Sequence, residues 1–590
     1  MAGIPENDLL SRAVAAHQAG DLAAAAAGYR DVLARDAGHA DAMHYLGMIA
    51  YQQGRIGEAR KRVGKAAETQ PRNPAILANL GLVLFAADRL EEAAESLSAA
   101  LALGPRQAEA WHTFGLVRQR QGQARAAINC QRQTLALAPG HRAARLSLAA
   151  LLIGDGAAAL AAEILREGCE LSPTDEELSL ALGEALERAG NTDQAAAQFR
   201  TIAESSAALR ALALTRLSIL ERRRQRPATS LVTARSAVLA DAKNPDAARA
   251  LGQALKELGW LDQAAVWFRR GHRLLRAPGQ TRFSERPGFA RTSRAKLRHD
   301  IAQLRYLVDR DIAAARLAPL VPQYEALLQA MPPSVPDGQP VPLPAEHAAG
   351  ARTFYNRCHH LTATPRFEGP VINPELDVPA ITDAYHSQAP GLTWIDGLLM
   401  PDALAALRQF CLESTIWYDF EHTNGYMGAY LQEGFNCPLL IQLAQELPRA
   451  LPGIFGQHVP MQLWAYKYDS GLAGIDMHAD FAAVNVNFWI TPDEANLDPE
   501  SGGLVLWDRE APADWSMDEY NTYDPAQQRR IREYLEAEGA RKLVVPHRQN
   551  RCVVFNSDLF HRTDDIHFRD GYENRRINIT MLYGKREADA

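Results

Sequence analysis

Residues 46–71 read LGMIAYQQGRIGEARKRVGKAAETQP, and their marker residues return every 34 positions. Leu46-Gly47 is followed by Leu80-Gly81, Phe114-Gly115, Leu148-Ala149 and Leu182-Gly183. A turn residue keeps the same register at Gly54, Asp88, Gly122, Gly156 and Gly190. So do Ala59, Ala93, Ala127, Ala161 and Ala195, then Pro71, Pro105, Pro139 and Pro173. Small residues let two helices approach closely, and the larger Leu and Phe side chains fill the groove to the next pair. Proline after the second helix stops it, because the ring cannot continue the hydrogen-bond ladder. A period of this length marks stacked supersecondary units.

These markers resemble the tetratricopeptide repeat (TPR). A weaker first copy begins near Glu6 and carries Gly20, Ala25 and Tyr29. An irregular copy spans 206–244, where the run Arg222-Arg223-Arg224 and Pro227 disturb the pattern, and a last copy shows Gly252, Gly259, Ala264 and Phe268. About eight units are expected over residues 1–275, an all-α solenoid with a concave groove. The resemblance implies a protein or peptide ligand for that groove.

A chain of 590 residues is too long for one core and should divide into domains. Its hydrophobic content of 47% and charged content of 23% are those of a soluble globular protein. A net charge of −7 argues against a general nucleic-acid binder. Six cysteines without a CxxC pair read as reduced, mostly buried thiols, as in a cytoplasmic protein. The opening residues lack the basic and apolar regions of a signal peptide, and no apolar run is long enough for a membrane span.

Beyond the repeats, 276–345 reads as a helical cap and linker. Two helices between Ser293 and Ala330, split near Pro319 to Pro322, would cover the end of the solenoid, and proline-rich 331–344 would be stiff. A connecting segment, 346–392, holds His359 and His360, which are adjacent, point apart on a strand and read as surface or structural residues.

The last segment, 393–590, begins with helical pattern at 401–412 and 438–451. Apolar runs follow at 461–468, 484–490, 503–507, 543–545, 552–555 and 577–582. Short strands in this number suggest a jelly-roll sandwich. Among them lies His478-Ala479-Asp480, whose first and last side chains share one face of a strand. With His561 they make two imidazoles and one carboxylate, the ligand set of non-haem Fe(II) oxygenases.

The segment from about Trp394 to Gly584 resembles the Fe(II)/2-oxoglutarate-dependent dioxygenases of the prolyl-hydroxylase-like branch. The resemblance rests on Tyr468-Asp469-Ser470-Gly471, His478-Ala479-Asp480, Ser501-Gly502-Gly503-Leu504, Phe555-Asn556-Ser557-Asp558 before His561, and Arg576-Ile577-Asn578-Ile579-Thr580. It implies a double-stranded β-helix, Fe(II) on His478, Asp480 and His561, 2-oxoglutarate as cosubstrate, O2 as oxidant and ascorbate as an optional reductant. The far carboxylate of 2-oxoglutarate would meet Arg576, whose planar fork suits it, with Tyr468 and Thr580 as neutral donors. Arg575 ranks second, since alternation turns it the other way. Asn487 and Trp489 share one face and are expected at the pocket. His547 reads as a loop residue, and His567 as a lesser alternative to His561. The excursion 508–541, with a helix expected at 525–538, departs from the compact family pattern and reads as a lid or substrate wall.

Together these expectations describe a hydroxylase acting on a protein or peptide recruited by the repeats. Three other readings compete. One is an interaction scaffold with a silent oxygenase-like domain. Another is an oxygenase of small molecules or sugars stacked on Trp464, Trp489 or Trp507. The third is a cupin-like isomerase that needs no 2-oxoglutarate.

Overall fold

The computed structural model describes residues 6–422, 424–469 and 474–586. Ser470 and Gly471, part of the expected turn after Tyr468, lie outside them, as does most of the segment read for a signal peptide. Antiparallel helix pairs run from Glu6–Gln18 with Leu22–Arg35 to Pro245–Glu257 with Leu261–Arg276, eight pairs among the described residues. In the second, Ala40–Gln52 is turned back by Gly54 at φ 74° into Ile56–Thr69. Asp88 takes the same left-handed conformation, φ 58°, as one of the few non-glycine types that tolerate it. The Gly81 position shows why the other marker is small: a Cβ there would lie 2.4 Å from Leu97 Cγ. The five register alanines, Ala59 to Ala195, are fully buried. Pro227 does not disturb its copy. It sits in the first turn of Pro227–Ala240, where a missing N–H costs nothing.

One compact unit ends at Ala213 and a second begins at Leu214. The repeat pattern therefore runs on to Arg276 inside the second unit. There Leu251, Ala264 and Phe268 share one hydrophobic core with Leu407, Leu440, Ile579 and Tyr583. Among the described residues no helix is long and apolar enough to cross a membrane.

The middle segment corrects several expectations. Its helices are Arg294–Asp309 and Val321–Ala330, and the break falls at Asp311 and Ala313, both left-handed, rather than at the prolines. Pro319 and Pro322 instead occupy first turns. These helices build a core of their own from Leu297, Leu304, Tyr324 and Leu327. The last repeat helix is covered by Leu431–Glu433 and Pro438–Ala450. The proline-rich stretch is tied down: β2 (Val341–Pro342) pairs with β1 (Arg291–Thr292). His359 is buried and donates from Nε2 to the Phe354 carbonyl at 2.7 Å, a structural role.

Nine further strands form two antiparallel sheets. They are β3 (Leu392–Ile395), β4 (Met427–Tyr430), β5 (Pro460–Tyr468), β6 (Val484–Trp489), β7 (Leu504–Glu510), β8 (Lys542–Val545), β9 (Cys552–Asn556), β10 (Leu559–Thr563) and β11 (Arg576–Tyr583). The larger sheet has the order β3-β9-β6-β11-β5-β4, the smaller β10-β7-β8. The sheets are not closed on themselves, so what stands of the expected jelly roll is two antiparallel sheets. Alternation sorts the central strands cleanly. Val486, Phe488, Val554, Ile577 and Ile579 pack on the helical side, whereas Asn485, Asn487, Arg576, Asn578 and Thr580 belong to the opposite face.

Candidate metal centre and its pocket

The backbone brings the two histidines together before their side chains do. His478 N–H donates to the His561 carbonyl at 2.9 Å, and His561 N–H returns a bond of 2.8 Å. This is a single bridge: the tripeptide is not part of a continuous strand, contrary to expectation. Its alternation survives because Ala479 N–H turns to the Tyr520 carbonyl. His561 lies on β10, a strand too short and polar to stand out in the sequence.

Both rings are oriented alike. His478 Nδ1 donates to the Asp476 carbonyl at 2.8 Å and His561 Nδ1 to the Leu559 carbonyl at 3.0 Å. That leaves each Nε2 lone pair free, the tautomer a metal ligand needs. His478 Nε2 lies 4.0 Å from Asp480 Oδ1 and His561 Nε2 lies 3.6 Å from Oδ2. Donor atoms of all three residues fall within 4.8 Å of one another. Asp480 is itself held: Asn485 Nδ2 donates to Oδ2 at 2.6 Å and Asn521 Nδ2 to Oδ1 at 3.3 Å. Burial raises the Asp480 carboxyl above its ordinary range, and burial followed by His478 drives the His561 imidazole well below its own. This donor set, with no lysine or arginine lining its pocket among the described residues, fits a divalent metal.

A pocket of about 220 Å³ opens on these three side chains. Of the residues expected there, Tyr468, Asn487 and Thr580 line it. Thr580 Oγ1 and Asn578 Nδ2 both donate to Asn487 Oδ1 at 2.8 Å, and Asn487 Nδ2 donates to Asn485 Oδ1 at 2.6 Å. A relay of amides thus runs from the sheet to Asp480. The donors of Asn487 and Thr580 are committed within it.

Arg576 is not among the lining residues. It is 1% exposed, donates to the Gly502 and Gly503 carbonyls at 2.6 and 3.0 Å, and lies 5.0 Å from the Tyr468 ring centroid. Burial lowers its guanidinium to about 10, and the neighbouring Tyr468 opposes this. Arg576 Nη1 and the Tyr468 hydroxyl are both buried and face each other without good hydrogen-bond geometry, with Thr563 beside the hydroxyl. Tyr468 lines the pocket, and Arg576 stands behind it. Arg575 turns away, donating to Asp469 at 2.7 Å.

Other expectations fall differently. Trp489 shares the face of Asn487 but packs between the sheets with Leu506 and Phe555, outside the pocket. His547 lies in the loop after β8, as expected, but is buried there beside Trp489 and Phe568. His567 is not in the metal group, which takes His561. The excursion after β7 folds into Met517–Tyr520 and Pro525–Ala537, and Met517, Asn521, Thr522 and Tyr523 form one pocket wall. Asn521 and Asn485 join the site without having been expected there. The parity of Asn485 with Asn487 on β6 is visible in the sequence, but nothing local marks Asn521.

The tetratricopeptide-repeat family pattern matches residues 10–70, 46–108 and 112–176. The N-terminal region carries TPR units. Solved TPR structures match with a probability of 1.00, at low superposition over the whole chain. TTC0263, a TPR protein of Thermus thermophilus, is 23% identical, covering 31% of this chain and 99% of that one, with a TM-score of 0.27. The pilF protein of Pseudomonas aeruginosa is 21% identical over 33% and 90%, at 0.31. YrrB, described as a TPR protein with an unusual peptide-binding site, is 21% identical over 31% and 95%, at 0.29. No curated protein matches this sequence.

Proposed function

We propose that this protein is an Fe(II)- and 2-oxoglutarate-dependent dioxygenase that hydroxylates a protein or peptide, with the TPR units recruiting the substrate. The observation that carries the reading is the convergence of two free Nε2 atoms and the Asp480 carboxylate on one side of a pocket that Tyr468 lines, with Arg576 behind it. The pair of antiparallel sheets supports reading this region as a double-stranded β-helix.

His478, Asp480 and His561 would hold the iron. Bound there, Fe(II) supplies dioxygen activation coupled to decarboxylation: 2-oxoglutarate becomes succinate and CO2, one oxygen atom entering succinate and the other a substrate C–H bond. The protein's own part is binding and exclusion. The Tyr468 hydroxyl would meet the far carboxylate of 2-oxoglutarate, with the Arg576 guanidinium behind it supplying the opposite charge. The Asn485 and Asn521 amides keep the Asp480 carboxylate in one orientation. Tyr523 and its neighbours on the excursion would form one wall beside the reacting face.

The test is succinate formation from 2-oxoglutarate with Fe(II) and ascorbate, wild type against His478→Ala. Loss of succinate in the variant supports the oxygenase. Equal yields from both would leave a TPR interaction scaffold.

A further inference from the structure

The pocket has two chemically different ends. On β5 the residues Gln462, Trp464, Tyr466 and Tyr468 alternate onto the pocket side. Tyr468 is paired with Arg576 and Trp464 with Thr580. The anion-binding end at Tyr468 is therefore four residues, about 13 Å, from Trp464 along the strand. At the Trp464 end the wall is aromatic. Tyr466 lies 6.2 Å from Trp464, 6.3 Å from Tyr430 and 4.9 Å from Tyr426 between ring centroids. Tyr523 closes another side, its hydroxyl 2.8 Å from that of Tyr426.

One carboxylate, paired with His422, backs this wall, and a second lines the pocket. Asp476 lines the pocket, and Asp419 stands directly behind the aromatic wall. The Tyr430 hydroxyl donates to Asp419 Oδ2 at 2.7 Å, and His422 Nε2 donates to the same oxygen at 2.8 Å. No lysine or arginine lines the pocket among the described residues. Electron-rich ring faces backed by carboxylates attract a cation and offer an anion nothing.

Tyr430 also borders a second depression, of about 440 Å³, reached by Arg249, Arg276 and Arg286. Those arginines are already paired, Arg276 with Glu433 at 2.7 Å and Arg286 with Asp246 at 2.6 Å. The depression is thus no anion site, but it gives the peptide on either side of a target residue somewhere to lie.

We propose that the residue oxidised by this protein is cationic, a lysyl or arginyl side chain within a peptide, gripped by the aromatic wall of Tyr430, Trp464 and Tyr466. This rests on the oxygenase reading above. The reaction replaces one C–H bond of the target residue by C–OH; the second oxygen atom goes to succinate and the carbon lost from 2-oxoglutarate leaves as CO2.

The test uses the full-length protein and matched peptides with Lys, Arg, norleucine or Pro at the centre, together with free lysine amide. Calorimetry should show the Lys or Arg peptide binding about tenfold tighter than the norleucine one. Asp419→Asn should shrink that preference while leaving the norleucine affinity unchanged, which a mere folding defect would not do. Mass spectrometry with Fe(II) and 2-oxoglutarate should find one added oxygen on the cationic residue. Lysine amide binding as tightly as the peptide would overturn the peptide part of the proposal. Norleucine or Pro peptides binding equally well, or taking the oxygen instead, would overturn the cation. Absence of succinate under every condition would sink the oxygenase reading alone, because the calorimetric preference does not depend on turnover.

Discussion

His478 and His561 form a hydrogen-bonded antiparallel pair, each N–H meeting the other's carbonyl, although 83 positions separate them in the sequence. Their imidazoles therefore project from one bridge and their ring centroids stand 4.3 Å apart. Replacing either by alanine should lower divalent-metal affinity by about 100-fold or more. Titration with Co(II), followed by its visible absorption, would show this, with circular dichroism confirming that the fold remains. Unchanged affinity in both variants would remove the metal assignment.

The amides on Asp480 should matter nearly as much. Asn521→Ala frees Asp480 Oδ1 and also strips the Ala479 carbonyl of the bond it receives at 2.9 Å. Metal affinity should fall by about tenfold to 100-fold, and Asn485→Ala should behave alike. A change confined to thermal stability would mean that the amides serve packing only.

Glycine to alanine should change sign with position. Gly81→Ala pushes a methyl into Leu97 and should cost about 1–3 kcal/mol. Gly64 lies within Ile56–Thr69 with nothing near its missing Cβ, so Gly64→Ala should stabilise by about 0.5–1 kcal/mol. Urea midpoints of the two variants against wild type decide it; shifts of the same sign would contradict the packing described.

Stability should fall as the solution is acidified. His272 is buried, its Nε2 2.9 Å from the Tyr418 hydroxyl. Burial first, then Arg276, pushes its imidazole from 6.5 to about 4, with Glu433 opposing. The unfolded state thus takes up the proton before the folded one. The full contribution is present above about pH 6.5, and up to about 3 kcal/mol is lost as pH falls towards 4. His359, also depressed to about 4 by burial, acts in the same direction. Urea unfolding across this window should show the slope, and His272→Gln should flatten it. A profile identical to wild type would exclude His272 as a source.

The repeats are legible because their markers answer local demands: a left-handed turn at Gly54, a Cβ-free contact at Gly81, a buried methyl at Ala59. Each demand recurs wherever one helix pair meets the next. The same logic misreads the middle. Pro319, Pro322 and Pro227 look like breakers, yet proline in a first turn is neutral, and the real break at Asp311 and Ala313 bears no conspicuous residue. Strands β3, β4 and β10 escape notice because four or five residues without clean alternation carry too little pattern.

Of the candidate site, the residue types are visible and the environment is not. His478 and Asp480 can be named from their spacing, His561 from the resemblance that the run before it carries, and Arg576 from a guanidinium placed in an apolar run. That Arg576 lies behind Tyr468 rather than in the pocket wall depends on Gly502 and Gly503 carbonyls brought in from the turn before β7. Alternation puts Trp489 on the right face, but the second sheet claims it as core.

The helical repeat and the three residues proposed as ligands are written in the primary structure, the repeat through short-range periodicity and the ligands through the resemblance that short motifs carry. Folding alone decided that Asn485 and Asn521 would hold the carboxylate and that aromatic rings from β4, β5 and the excursion would share one pocket. Asn485 is only five positions from Asp480, but Asn521 is 41 away, and no local residue pattern encodes a contact made by packing between distant segments.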